Sequence, residues 1–296
     1  MKTFNSSRTL PDSTSSAIRR IILSALEEDL GRGDVTTDSV VDPSSRGTAV
    51  LVAREDIVLA GLFVFEQVLL ELCPDIIFHE HYAEGAIVSA DQPVCEMKGP
   101  LGPILKGERT GLNFLQRMCG IAGITRRYVE KIDGSGAKIL DTRKTAPGLR
   151  ILDKYAVQVG GGVNHRFGLF DGVLIKDNHV AAAGSVGEAV RRARKKAPHT
   201  LKIEVEVETL DEVREAAEAG ADIVLLDNMP PAQMEQAVKL LRGKALVEAS
   251  GGITLENVGA VAATGVDLIS VGALTHSVRA ADLSLEFPAK SRKQEA

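Results

Sequence analysis

The segment NHRFGLFDGVLIKDNH, residues 164–179, places several cationic and titratable side chains beside an apolar run. They are His165, Arg166, Lys176, Asp177 and His179. A buried cation without a partner is costly, so this segment predicts that protein carboxylates or an anionic ligand lie next to it.

Carboxylates occur at strand spacing in KIEVEVE, residues 202–208. Period-2 alternation puts Glu204, Glu206 and Glu208 on one face of a strand. In a barrel the surface under the helices is apolar, so we expect these glutamates to point inward, where Lys or Arg side chains or Mg²⁺ would balance them. The alternative is a purely structural ion network. It suits Glu204 better than Glu206, because Glu206 lies nearer the end of the strand.

Six apolar strands are predicted after residue 136, in KILDT, GVLIKD, KIEVEV, DIVLLD, ALVEAS and DLISVG. Helical stretches separate most of them, which is typical of a parallel sheet that forms an open, incomplete α/β barrel. Polar residues follow nearly every strand, and barrels place their chemistry at these ends. The turns in EASGGI and SVGALTH follow the last two strands, where barrels commonly bind phosphate. A polyanionic sugar phosphate would suit such a site.

The first half of the chain has a different pattern. A helix is predicted over residues 15–30 and a loop over 31–38, followed by β-rich runs between 47 and 97 around a helix at 62–72. This pattern predicts a small α+β domain. A long helix from about Glu108 would join it to the barrel.

Composition restricts the possible partners. The formal net charge is −5 with 44% hydrophobic residues, which does not favour binding to nucleic acid or to an anionic membrane. Three cysteines without a C-x-x-C pair are typical of a reducing compartment. No apolar run is long enough for a membrane span, and the N-terminal residues lack a signal-peptide core, so a cytoplasmic protein is expected.

Eight motifs in order resemble the quinolinate phosphoribosyltransferase family, also called carboxylating nicotinate-nucleotide pyrophosphorylase. They are LEEDLGRGDVTTD, ERTGLNFLQRMCGIAG, DTRKTAPGLR, NHRFGLFDGVLIKDNH, EVEVE, LLDNM, EASGGI and ISVGALTH. The resemblance implies an α/β sandwich domain over residues 15–115, joined by the C-terminal segment 276–290, and an open α/β barrel over 116–275.

The resemblance also implies a reaction and a set of residues. Quinolinate and phosphoribosyl pyrophosphate would react with Mg²⁺ to give nicotinate mononucleotide, pyrophosphate and CO₂, in de novo NAD biosynthesis, in a homodimer with shared active sites. Quinolinate would be bound by Arg143, His165, Arg166 and Lys176, with Arg109 from the neighbouring subunit. Lys144, Glu206 and Asp227 would be catalytic, with Glu206 and Asp227 holding ribose hydroxyls or Mg²⁺, and Ser250, Gly251 and Gly272 would bind the 5′-phosphate.

Two other functions stay open at this stage. Lys176 at a strand end could form the Schiff base of a lyase. A diverged homologue could act on another heterocycle or only bind it, like the molybdenum-transport-associated relative of the family. Ala146 and Cys119 stand where the family more often has Thr and Ser, and we expect tuning rather than loss of activity.

Overall fold

A computed structural model of the chain describes residues 12–288. The helices are α1 (Asp12–Leu30), α2 (Val35–Val40), α3 (Leu62–Leu72), α4 (Leu101–Lys131), α5 (Arg150–Val159), α6 (Asp177–Ala183), α7 (Val186–Lys196), α8 (Leu210–Glu218), α9 (Pro231–Leu241), α10 (Val258–Ala263) and α11 (Ala273–His276). The strands are β1 (Arg46–Ala53), β2 (Ile57–Val58), β3 (Ile77–Glu80), β4 (Ile87–Val88), β5 (Pro93–Pro100), β6 (Lys138–Leu140), β7 (Val173–Ile175), β8 (Ile203–Val207), β9 (Ile223–Asp227), β10 (Leu246–Ser250), β11 (Leu268–Ser270) and β12 (Leu283–Glu286).

The chain divides into two compact units. The first comprises the chain up to Gly120 and again from Arg279, and the second runs from Ile121 to Val278. Residues 116–120 therefore fall in the first unit and 276–278 in the second, a few residues from the boundaries expected from the sequence. Residues 289 and 290 of the expected C-terminal segment lie outside the described residues.

The first unit is built on an antiparallel sheet of order β12-β1-β5-β3. The C-terminal strand β12 pairs with β1, with Leu51 opposite Leu285, so the end of the chain completes this sheet. One face of α3 is buried through Leu62, Phe65 and Leu69, at the spacing of an amphipathic helix. These side chains form one core with residues of β5 and α4.

Two local expectations in this unit were wrong. Residues 31–38 do not form only a loop, because Asp34 caps the short helix α2 by accepting from the Thr37 N–H at 3.0 Å. The long helix α4 begins at Leu101 rather than near Glu108. Pro103 lies in its first turn, where the missing N–H has no intrahelical acceptor to lose, so the helix tolerates it.

The second unit is the expected α/β fold. Its six strands are parallel in the order β6-β11-β10-β9-β8-β7, and they match the six predicted apolar runs. This order is sequential once its two ends are joined, as in an α/β barrel, but among the described residues no ladder pairs β6 with β7. The predicted fold class, with an open and incomplete barrel, is confirmed.

Within residues 12–288, no helix is both long enough and apolar enough to cross a membrane.

Candidate active site

A cavity of about 820 Å³ lies at the carboxyl ends of the barrel strands. Its volume is in the range of small-molecule sites. It is lined by every residue of the second unit to which the family resemblance gave a role: Arg143, Lys144, His165, Arg166, Lys176, Glu206, Asp227, Ser250, Gly251 and Gly272. Arg109 belongs to the first unit, where its side chain is exposed on α4.

Acidic residues from two neighbouring strands face this cavity. Glu206 near the end of β8 accepts a hydrogen bond from Lys176 Nζ at 2.6 Å, and Asp227 at the end of β9 accepts from Asn228 Nδ2 at 3.0 Å. The glutamates of β8 were expected to find cations inside the barrel, and Glu206 does so. Glu208 lies beyond the strand and is exposed.

A more deeply buried cluster centres on His165. Its Nε2 lies 3.0 Å from Glu204 Oε2 and 3.8 Å from Glu248 Oε1. Glu248 is 1% exposed, and neither of its carboxylate oxygens has a hydrogen-bond partner among the described residues. Two carboxylates around one imidazole leave a negative charge that needs a proton or a cation.

The pKa values indicate a proton. Burial, together with the charge of Glu204, raises the pKa of Glu248 to about 8. Burial opposes protonation of His165, but the hydrogen bond to Glu204 and the charges of both glutamates outweigh it and raise the His165 pKa. A protonated Glu248 carboxyl can then donate to the Glu204 carboxylate beside it, which removes the uncompensated charge.

The same three side chains are close enough to hold a metal ion. However, His165 Nδ1 accepts a hydrogen bond from the Arg166 N–H at 2.7 Å. The neutral ring must then carry its proton on Nε2, the nitrogen that faces the glutamates, so that nitrogen has no lone pair for a metal. The cluster is better suited to hold protons than a cation.

A buried ion pair supports the backbone of His165. Lys154 of α5 donates to Asp141 Oδ1 at 2.5 Å, and both side chains are almost fully buried. Asp141 Oδ1 also accepts from the His165 N–H at 2.8 Å, and Lys154 Nζ donates to the His165 carbonyl at 3.0 Å. Both peptide groups of this residue are therefore held by one charged pair.

Two guanidinium groups lie close together in the cavity. Burial and the charge of Arg143 together lower the pKa of Arg166. Arg166 Nη1 donates to the Gly172 carbonyl at 2.9 Å, whereas its buried Nε has no partner within residues 12–288. A buried donor and a repelling pair of cations both favour an anionic ligand that accepts from them.

Small-residue turns also line the cavity. Gly251 has φ +88°, and a Cβ at this position would overlap the Asn228 amide. Gly272 leads into α11, where a Cβ would press on Lys144 and His276. Gly251 therefore requires glycine, whereas a side chain at Gly272 would have to displace Lys144 or His276 slightly.

Several lining residues were given no individual role from the sequence: Thr142, Asn228, Glu248, Gly252, Thr254, Ser270 and His276. Glu248 was detectable, because it lies two residues before Ser250 on β10 and so shares its face. The sequence alone leaves His276 open between a ligand contact at a helix start and a cap. The others lie on strand ends and turns whose sequence carries no separate signal.

Together these features define a class of protein: an open α/β barrel with a small, strongly polar site for anions at its strand ends. Comparisons with known proteins are more specific. Family models of quinolinate phosphoribosyl transferase match residues 34–119 with the N-terminal domain and 121–286 with the C-terminal domain.

Individual relatives agree with these matches. The probable nicotinate-nucleotide pyrophosphorylase [carboxylating] of Bacillus subtilis is 46% identical over 259 residues, which cover 88% of this chain and 89% of that protein. The nicotinate-nucleotide pyrophosphorylase [carboxylating] of Mycobacterium leprae is 45% identical over 94% of this chain and 100% of its own. The crystal structure of NadC from Streptococcus pyogenes superposes with a TM-score of 0.90 at 41% identity, covering 94% of this chain and 98% of that one. This chain belongs to the quinolinate phosphoribosyl transferase family.

Proposed function

We propose that this protein transfers the phosphoribosyl group of phosphoribosyl pyrophosphate to quinolinate and releases pyrophosphate and CO₂, giving nicotinate mononucleotide for de novo NAD biosynthesis. The observation that carries the proposal is that a group of cations and two glycine turns line one and the same cavity. A pyridine dicarboxylate and a sugar phosphate are the two anions that such a cavity would hold side by side.

The cationic side suits the dicarboxylate. Arg143 and Arg166 supply planar guanidinium donors, which can bind a carboxylate through two parallel hydrogen bonds. Lys176 adds an ammonium group, and His165, whose Nε2 faces two glutamates, lines the same cavity. A substrate carboxylate would relieve the repulsion between the two guanidinium groups.

The other side suits the phosphorylated sugar. Ser250, Gly251 and Gly272 line the cavity at or just after the ends of the last two barrel strands, the usual phosphate site of this fold. Lys144 lies against Gly272 and would contact the ribosyl pyrophosphate between the two ends. Glu206 and Asp227 would accept hydrogen bonds from ribose hydroxyls.

The donor chemistry of Glu206 and Asp227 also fits Mg²⁺. Both present carboxylate oxygens on neighbouring strand ends, and Mg²⁺ is commonly held by one or two carboxylates together with substrate phosphates and water. When bound there, the ion would neutralise the pyrophosphate that leaves. Glu206 would then exchange part of its ion pair with Lys176 for this role.

The chemistry needs no protein nucleophile. The pyridine nitrogen attacks the anomeric carbon as the bond to pyrophosphate breaks, and nearby carboxylates favour the oxocarbenium-like transition state. The ring nitrogen is then cationic, so it stabilises the electron pair left on the adjacent carbon when CO₂ departs, and that carbon takes a proton. The residues of the cavity mainly orient the two substrates.

The alternatives fit less well. A Schiff-base lysine must be a neutral amine, usually in an apolar pocket, but Lys176 is half exposed and paired with Glu206. A diverged homologue for a heterocycle without two adjacent carboxylates would offer fewer acceptors to Arg143, Lys176 and the buried Nε of Arg166.

We further propose a cytoplasmic homo-oligomer, most simply a homodimer, that acts on small molecules and binds neither nucleic acid nor membrane. Its cysteines Cys73, Cys95 and Cys119 are free thiols, which suits a reducing compartment. Arg109 would complete the quinolinate site of the partner subunit, since it belongs to the first unit and is exposed.

The test is direct. The purified protein is incubated with quinolinate, phosphoribosyl pyrophosphate and Mg²⁺, and nicotinate mononucleotide and CO₂ are measured together in equal amounts. Nicotinate is the control substrate: it lacks the carboxylate next to the ring nitrogen, so it should be used at least about a hundred-fold less efficiently. Comparable use of the two acids, or no product from quinolinate, would reject the proposal.

A further inference from the structure

Arg150 does not line the cavity, but it connects the two loops that carry the cavity residues Arg143 and Arg166. Its Nη2 donates to the Arg143 carbonyl at 3.3 Å, and its Nη1 donates to the Phe167 carbonyl at 3.1 Å. Its Nε donates to Thr145 Oγ1 at 3.0 Å. One side chain therefore holds the backbone beside Arg143 and the backbone beside Arg166.

The position of Arg150 is electrostatically unfavourable for the helix that carries it. Arg150 is the first residue of α5, and a cation at a helix N-terminus opposes the helix dipole. The same helix carries the buried cation Lys154 one turn later, and the charge of Arg150 contributes to lowering the Lys154 pKa. A residue that is unfavourable for its own helix, with no compensating interaction there, indicates a role elsewhere in the structure.

The repulsion between the two guanidinium groups of the cavity explains why a residue in this position is needed. Arg143 is exposed and Arg166 is half buried, and without a ligand their charges push the two loops apart. The three hydrogen bonds of Arg150 oppose this separation without using a carboxylate, which would compete with the substrate for Arg143 and Arg166.

We propose that Arg150 is a positioning residue that fixes the spacing of Arg143 and Arg166 and thereby sets the affinity for the dicarboxylate substrate. This inference rests on the proposed function, because it assigns quinolinate to these two side chains. Arg150 itself contacts no substrate. It lowers the cost of assembling the site before binding.

The experiment uses Arg150→Met, which removes every donor, and Arg150→Lys, which keeps the charge but loses the planar fork. Arg194→Met is the matched control, since Arg194 also donates to a loop carbonyl, that of Gly220, and to Asp222 at the amino end of the sheet. Calorimetry with phthalate, a benzene dicarboxylate that cannot be ribosylated, measures pocket affinity without turnover.

For Arg150→Met we expect phthalate Kd and quinolinate KM to rise about ten-fold, with kcat within about three-fold and the KM for phosphoribosyl pyrophosphate within about two-fold. Arg150→Lys should lie between this variant and the wild type, and Arg194→Met should match the wild type. Unchanged phthalate affinity in a folded Arg150→Met protein, or equal rises in both KM values, would overturn the proposal. If Arg150→Met does not fold, the same criteria apply to Arg150→Lys.

Failure of the proposed function would look different. Wild-type protein that neither binds phthalate nor converts quinolinate rejects the function itself, and this inference with it. Active wild-type protein with wild-type affinity in the Arg150 variants rejects only the role of Arg150.

Discussion

At the level of single residues, two carboxylates on the same face of the sheet have different environments in the site. Glu206 is paired with a lysine and lies at the cavity surface, whereas Glu248 is buried with two unpartnered oxygens. Burial raises the pKa of Glu248 to about 8, so it holds a proton that the unfolded chain would release.

Glu248→Gln is therefore expected to change the pH dependence of stability. Because the folded-state pKa is raised, the native protein binds more protons than the unfolded chain between about pH 4.5 and 8, and wild-type stability falls with rising pH over that window. Gln cannot ionise, so the decrease in the free energy of unfolding with rising pH should be smaller in the variant, by up to about 3 kcal/mol. Thermal unfolding at pH 5.5 and pH 8 measures it; parallel slopes for both proteins would contradict the assignment.

Glu206→Ala and Asp227→Ala test the two acids that are proposed to contact the sugar. If they act on ribosyl transfer, kcat should fall about a hundred-fold while quinolinate affinity changes by less than about five-fold. Glu208→Ala is the control, because Glu208 follows the same strand but is exposed outside the cavity. Equal losses in quinolinate binding and turnover would place these acids on the pyridine instead.

At the level of elements, the barrel strands place polar side chains at one edge of the sheet. Side chains of α5 hold the loops at that edge through hydrogen bonds. The buried pair of Asp141 and Lys154 joins the end of β6 to α5 and holds His165 by both of its peptide groups. Burial raises the pKa of Asp141 and lowers that of Lys154 although they are paired, so neither charge is stable here alone.

A double-mutant cycle should show this dependence. Asp141→Asn and Lys154→Met each leave one buried charge without its partner and should each destabilise the protein by roughly 3 kcal/mol. The double variant should be less destabilised than the sum of the two, by more than about 1 kcal/mol. Denaturant unfolding of the four proteins provides the values, and simple additivity would show that the pair is not coupled.

At the level of the whole molecule, the proposed site would draw on more than one chain. All the lining residues of the cavity belong to the second unit, while Arg109 belongs to the first. The expected assignment of Arg109 to the neighbouring subunit makes oligomerisation a condition for activity.

Subunit exchange tests this assignment. Arg109→Ala and Lys176→Ala proteins should each be inactive, but a mixed dimer has one doubly damaged site and one intact site. With random pairing half of the dimers are mixed, so roughly a quarter of all sites should recover activity. Mass-tagged subunits confirm the exchange. Activity that stays at the level of the separate variants would mean that Arg109 acts within its own chain.

Much of this protein is determined locally and can be predicted from its sequence. The six barrel strands were predictable because each is a short apolar run, and the predicted barrel residues line the cavity because parallel strands bring their carboxyl ends to one edge. The start of α4 was not predictable, because Gly102 and Pro103 are residue types typical of turns, yet the packed structure includes them in the helix.

Other features are decided only by tertiary structure, because they depend on residues far apart in the chain. Glu248 of β10 meets His165 of the loop before β7, and the burial of Glu248, not its residue type, makes it hold a proton. Lys154 and Arg150 are ordinary helix cations in the sequence, yet folding turns the first toward Asp141 and the second toward two loop carbonyls. Residue types determine which charges are available, but only the packed structure decides which of them pair with each other and which are left for a ligand.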